Sequence, residues 1–539
     1  MPAHHSRVIA RPLTLPGSLS LFCAAMALSV AFAPMTKADE SAKIKRPAIT
    51  FTTNDAFSAK DIPAYKGQHK DVYAYIKTHK AEHLENLRRW VRQPSISAQN
   101  NGVTQMAELL RDDLKKIGFK EAEVVPTSGH PGVWGFYDAG AAKTLVVYMM
   151  YDVQPIEAEG WKVKAFDGEL VDNDLGKVLM ARGAINQKGP QRTFLNAVEA
   201  IIAVNKKLPV NLMVLAEGEE ELGSPHYPEL IDKFADRLKT ASGVIFPASS
   251  QSPTGEITVT LGVKGVLYLE LEAHGGKNGG PANAEIHSSW KAISDAPAWR
   301  LTQALATLTS ADGNTITVPG YYDGIRQPNL EEQRLVNGML KGWESNEPAL
   351  LKGYGMERWI DGWRGRDSLA HYLFDTTLNI DGLTSGYGGP GTKTILPHKA
   401  VAKVDSRLVP GQTAERARDL IRKHLDDKGF TDIEIRTLSA YPAAQTSVEA
   451  PVVRAAIGAY NKIGVPVDVS PRTAGSAPYY VFTEKLKLPM VMTGVGHGSG
   501  AHAPNEYIVI DPKPGSKIAG LEQMENFYVD LLYAIAAGK

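Results

Sequence analysis

Four apolar segments constrain this chain more than any other feature: "TLVVYMM", "VNLMVLA", "GVIF" and, far downstream, "LPMVMTGVG", each bounded by turn residues. Helical stretches alternate with them, among them "QRTFLNAVEAIIAV" and the closing "LEQMENFYVDLLYAIAA". Short apolar strands alternating with amphipathic helices imply a mostly parallel sheet covered on both faces. The fold class is therefore α/β. Upstream, "DVYAYIKTHKAEHLENLRRWVRQPSIS" places Val72, Tyr75, Ile76, His83, Leu84, Leu87 and Val91 on one helical stripe that stops at Pro94, and "QMAELLRDDLKKIG" reads as a second helix.

The middle of the chain breaks the alternation. The β-branched stretch "EITVTLGVKGVLYLELEA" reads as one strand, a long helical insert follows, and "KAVAKVDSRLV" reads as another strand. We expect an inserted α+β lid over residues 256–439, interrupting an α/β domain built from residues 70–255 and 440–539. Residues 39–69 are polar and irregular and read as a flexible lead-in.

Residues 1–38 differ from the rest. Arg7 and Arg11 precede the apolar run "LSLFCAAMALSVAFA", and small residues up to Ala38 suit a signal peptidase, so an exported, periplasmic or secreted protein is expected, free of the membrane once cleaved. The run is interrupted and short for a membrane span. The only cysteine, Cys23, lies inside it, so the mature chain can use neither disulfides nor thiol catalysis. Removing Arg7, Arg11 and Lys37 from an even balance of 59 basic and 59 acidic residues leaves a charge of −3. Nothing in that balance points to nucleic acid.

In an open parallel sheet, reactive groups belong at the carboxyl ends of the strands. "YDVQP", "RGAINQKGP", "EGEEELGS" and "HAPNEY" meet that condition. The run Glu217, Glu219, Glu220 and Glu221 is notable, because carboxylates crowded at the end of a buried strand repel one another unless something cationic holds them. A metal would do so; a solvated helix start would also tolerate the acids.

Taken in order with "GYGGPGTKTILP", "RLVPGQ" and "AGSAP", these stretches resemble the zinc amidohydrolase superfamily of carnosinase, aminoacylase and carboxypeptidase G, and most of all its carnosinase-type dipeptidase branch. The resemblance covers roughly residues 70–539. It implies a zinc-carrying α/β domain, a lid that makes a homodimer, and a two-zinc site. It assigns the general base to Glu220, zinc ligands to Glu221 and His502, and an orienting role to Asp152. It assigns an oxyanion donor that serves the neighbouring subunit to His287, and contacts to a substrate's carboxylate and backbone to Thr394, Arg407, Arg472 and Ser476.

Three ligand positions depart from the pattern. Met150 stands where a histidine is expected, Asn186 at the bridging aspartate, and Pro247 near the third acidic position. A thioether is a poor partner for zinc among hard oxygens, an amide oxygen carries no charge, and proline offers no side-chain ligand. We therefore expect at most one zinc, through Glu221 and His502 with Asn186 contributing. Two functions fit this pattern: a hydrolase for a dipeptide or N-acyl amino acid with a free carboxylate, or a binding protein of the same fold that has lost the chemistry. A serine hydrolase has no G-x-S-x-G elbow to stand on.

Overall fold

The polar residues 44–69, which have almost no regular structure, are held by the side chains of two distant helices. The computed structural model describes residues 44–157 and 159–538; the expected signal peptide, residues 1–38, lies outside them. Thr52 and Thr53 donate to Gln333, Asn337 donates to the carbonyls of Thr53 and Asp55, and Asn461 donates to those of Ala59 and Ile62. The flexible lead-in expected from composition is therefore corrected from residue 44 on: tertiary amide contacts fix it to the helices Leu330–Gly353 and Pro451–Ile463.

The first sheet has six strands in the order Glu121–Val125, Gly132–Tyr137, Asn211–Glu217, Thr144–Met150, Val244–Pro247 and Met490–Thr493, and the last four run parallel. These four are the apolar segments bounded by turn residues in the sequence. Alternate residues serve two layers, as a period of two requires. Val147, Met149, Val214 and Ala216 pack under the helices Lys188–Asn205, Pro451–Ile463 and Leu521–Ala537, while Tyr148, Met150, Leu215 and Phe246 pack against Tyr227–Leu238 and residues 479–488. Burying one such side chain contributes about 1.5–3 kcal/mol, so both faces of the sheet are covered cores.

The stripe beginning at Val72 forms two helices, Lys70–Thr78 and Lys80–Arg92, divided at His79. The stretch beginning "EITVTLG" is likewise divided. Ile257–Thr260 pairs in parallel with Val467–Ser470, and only Gly265–His274 enters the second sheet. That sheet is antiparallel, in the order Asn379–Ser385, Lys399–Leu408, Gly265–His274 and Glu434–Tyr441. Leu267, Leu269 and Leu271 pack under the helices Pro297–Ala306 and Ala414–Asp427, so the opposite face of the sheet is turned away from them. The sheet ends at Tyr441, two residues beyond the boundary expected at 439, and it belongs to one contact unit with the first sheet. No helix among the described residues is long and apolar enough to cross a membrane.

Candidate functional site

The carboxyl ends of the parallel strands bring the acidic run together and give each member a different partner. Glu217 ends its strand buried, and its Oε1 accepts from Tyr148 at 2.7 Å and Ser224 at 2.9 Å. Burial pushes its carboxyl up to about 8. Glu219 pairs with His226 at 2.7 Å. Glu221 accepts from Gln154 at 2.8 Å and from Asn186 Nδ2 at 2.7 Å. Glu220 differs: its carboxylate accepts no hydrogen bond from any described residue. Burial, followed by the charges of Glu221, Asp152 and Glu217, raises its pKa well above the ordinary carboxylate range. Its accessible surface nevertheless places it between buried and exposed, so water reaches it.

Asp152 is fully buried two residues past Met150. It accepts from Ser97 at 2.7 Å and from the backbone N–H groups of Glu220 and Glu221 at 3.1 Å each. It therefore fixes the turn that carries both glutamates. Burial, then the charge of Glu221, pushes its carboxyl up to about 7. Lys188, wholly buried, donates to the Gln93 carbonyl and lies close enough to Asp152 and Glu506 to feel both charges. Burial lowers its pKa to about 7 while those two charges oppose the fall; it is an amine of the site that the sequence reading missed, although the lysine of "GAINQKGP" was a signal for it.

Glu506 is a second residue missed. Its Oε1 accepts the backbone N–H groups of Ile185 and Asn186, and its Oε2 accepts from the buried guanidinium of Arg182 at 2.8 Å. It ties the Asn186 loop to the loop that carries His502. His502 is 58% exposed at its side chain; its Nε2 lies 3.3 Å from Glu221 Oε2 and 3.1 Å from Asn186 Nδ2. The hydrogen bond to Glu221 raises its pKa, so the protonated ring donates to the carboxylate and the neutral ring accepts from the amide.

This arrangement does not fit a pair of zinc ions. Met150 lies buried in the apolar cluster with Tyr148, Phe246 and Tyr227. Pro247 is a buried strand residue paired with Thr493. Asn186 turns its NH2 group, a donor and not a ligand, toward both Glu221 and His502. Among the described residues no three His, Cys, Asp or Glu side chains converge to hold a cation.

The expected substrate contacts divide. Arg407 reaches Ser476 Oγ at 2.9 Å and Asp405 at 2.7 Å and stays partly exposed, and Ser476 donates to the Gly265 carbonyl. These two residues are together and accessible. Arg472 is not: only 1% exposed, it lies over Phe374 and pairs with Glu332 and Gln445. Its expected role as a clamp for the substrate carboxylate is corrected, because the carboxylate it meets belongs to this chain's own helix. His287 and Thr394 share a 3.1 Å hydrogen bond on an exposed two-strand bridge, and neither bonds to the acidic residues of the same chain.

The model of peptidase family M20/M25/M40 matches residues 147–528. The Cys-Gly metallodipeptidase of Candida albicans is 28% identical over 464 residues, 81% of this chain and 92% of that protein. The Beta-Ala-His dipeptidase of Homo sapiens is 28% identical over 389 residues, 66% of this chain and 71% of that protein. Among solved structures, the M20 family metallo-carboxypeptidase from Sulfolobus solfataricus superposes with a TM-score of 0.73 at 32% identity, covering 84% of this chain and 98% of that one. Human carnosine dipeptidase 1 has the same fold, with a TM-score of 0.70 over 87% of this chain and 99% of that one.

Proposed function

The chain belongs to peptidase family M20/M25/M40, and from that premise we propose that it is an exported hydrolase of dipeptides or N-acyl amino acids, working with at most one zinc. The observation that carries this reading is the Glu220 carboxylate. It has no hydrogen-bond partner among the described residues, is reachable by water, and is raised in basicity by burial and then by the charges of its neighbours. A carboxylate in that state is a general base for a water nucleophile. Asp152 holds its backbone in place, and Arg407 with Ser476 supplies a cationic, hydrogen-bonding seat for the substrate carboxylate. The single zinc of this reading would sit at Glu221 and His502 and polarise the carbonyl. Export rests on the character of residues 1–38, and a homodimer through the lid on the family resemblance.

A second reading has its own observation. Met150 and Pro247 are built into the apolar core and Asn186 bonds across Glu221, so a protein that binds the same carboxylate ligands without cleaving them also fits. One experiment separates the two: a screen of dipeptides and N-acyl amino acids with wild type and Glu220→Gln, with added zinc, manganese or cobalt. The hydrolase reading expects turnover that Glu220→Gln abolishes while ligand affinity stays nearly intact, since an amide keeps the shape but cannot accept the water's proton. A wild-type protein that binds and never cleaves ends it.

A further inference from the structure

Tyr441 closes the strand Glu434–Tyr441 directly opposite Val266, and Val266 on its other side is directly opposite Arg407. Residues opposite one another across antiparallel strands project to the same face. Tyr441, Val266 and Arg407 therefore stand in one row, on the face turned away from the helices that cover Leu267 and Leu269. The row spans two interstrand spacings, about 9.5 Å, and an extended dipeptide is about 7 Å long. Two residues before Tyr441, and on the same face, is Ser439. A Cβ placed on Gly223 would come within 3.1 Å of Ser439 Oγ. The strand thus lies against the turn that carries Glu220, with Tyr441 between that turn and Arg407.

The ring of Tyr441 is fixed. It stacks on Tyr480 with centroids 5.7 Å apart and planes 10° from parallel, and only 9% of the residue is exposed. Its hydroxyl, however, makes no hydrogen bond with any described residue, and the oxygen is not sealed from solvent. A buried tyrosine ordinarily finds a partner for its O–H. Burial and the Glu220 charge both raise its pKa, so the proton stays on the oxygen at neutral pH.

We propose that the Tyr441 hydroxyl is a catalytic hydrogen-bond donor to the scissile carbonyl oxygen, placed between the substrate carboxylate at Arg407 and the water at Glu220. This rests on the hydrolase reading of the same site. Glu220 takes a proton from water as its oxygen bonds to the carbonyl carbon. The carbonyl π electrons move onto oxygen, and that oxyanion accepts the hydrogen bond while Tyr441 keeps its proton. Collapse re-forms the carbonyl and breaks the C–N bond, and the proton on Glu220 passes to the leaving nitrogen. A donor aimed at the developing oxyanion supplies part of the polarisation for which the altered metal positions no longer provide ligands.

Tyr441→Phe keeps the ring and its stack and removes only the hydroxyl. We expect kcat to fall about 100-fold or more with KM changed by less than about twofold, the signature of an interaction made in the transition state alone. In parallel, a phosphinic dipeptide analogue, tetrahedral at the scissile position, should lose about 100-fold in calorimetric affinity, whereas a planar, uncleavable dipeptide analogue should lose almost none. Unchanged kcat, a change in KM alone, or equal loss of both analogues would overturn the assignment. If wild type cleaves no substrate, the hydrolase reading fails on its own. Tyr441 is then judged by binding: loss of the preference for the tetrahedral analogue in Tyr441→Phe supports the assignment, and an unchanged preference overturns it.

Discussion

The amide nitrogen of Asn186 donates to Oε1 of Glu221 across 2.7 Å, a hydrogen bond from a neutral amide at a position where the family resemblance calls for an aspartate bridging two cations. The same amide faces Nε2 of His502 at 3.1 Å. The carboxylates of this site are therefore met by an amide, by Lys188, by His502 and by backbone N–H groups.

Metal content follows from that substitution. Elemental analysis of the purified protein should find at most one zinc per chain. The triple variant Met150→His, Asn186→Asp and Pro247→Asp should bind a further equivalent, because it restores the imidazole and two carboxylates that the family resemblance calls for. Two tightly held equivalents in the wild type would show that other groups have taken over the lost ligand positions.

The two arginines should separate cleanly. Arg472 is buried on Glu332, itself fully buried, so Arg472→Ala should destabilise the fold by roughly 3–5 kcal/mol, read as a lower urea midpoint with an unchanged slope. Arg407 is partly exposed beside Ser476, so Arg407→Ala should leave the midpoint nearly unchanged. It should instead weaken calorimetric binding of an N-acetyl amino acid by roughly 1.5–3 kcal/mol, the range for a charge-assisted hydrogen bond. A binding defect in Arg472→Ala without loss of stability would return that residue to the substrate site.

The architecture was legible where apolar runs met turn residues, which is why the four parallel strands stand out in the sequence. It was not legible where partners lie far along the chain. The alternation in "EITVTLGVKGVLYLELEA" cannot reveal that its first four strand residues leave to pair with Val467–Ser470. The polar composition of residues 44–69 gave no hint of the amides of Gln333 and Asn461 that hold them. Arg472 read as a ligand clamp because its partner Glu332 is 140 residues away. At the site, motif positions identified Glu220, Glu221 and His502, but a lone tyrosine at a strand end carries no pattern, so Tyr441 emerged only from the register of the second sheet.

Glu217 should make stability fall as pH rises. Its folded pKa, pushed up to about 8, lies above the value near 4.3 of an unfolded glutamate. Between those values the folded chain holds a proton that the unfolded chain has released. Stability is therefore lost on going up through this window, by as much as about 1.4 kcal/mol per pH unit from this group. Glu217→Gln keeps the hydrogen bonds' geometry without the titration. Urea midpoints for wild type and Glu217→Gln, measured from pH 5 to 8, should diverge, with the variant gaining relative to wild type as pH rises. Parallel curves would mean that Glu217 is ionised in the folded protein.

The last prediction concerns His287, whose hydrogen bonds within its own chain go to Thr394 and Ser289 and not to the acidic turn. If it stabilises an oxyanion in a neighbouring subunit, as the family resemblance implies, His287→Ala and Glu220→Gln should each be nearly inactive as homodimers. A mixed dimer of the two, isolated with a different affinity tag on each chain, should regain one working site, because an intact Glu220 in one subunit then faces an intact His287 from the other. Size-exclusion chromatography with light scattering should give a dimer for both parents and for the mixture. A mixed dimer as inactive as its parents would place the function of His287 within its own chain. A monomeric wild type would remove the need for a partner altogether, and would leave the proposed Tyr441 hydroxyl to donate to the scissile carbonyl from the same chain.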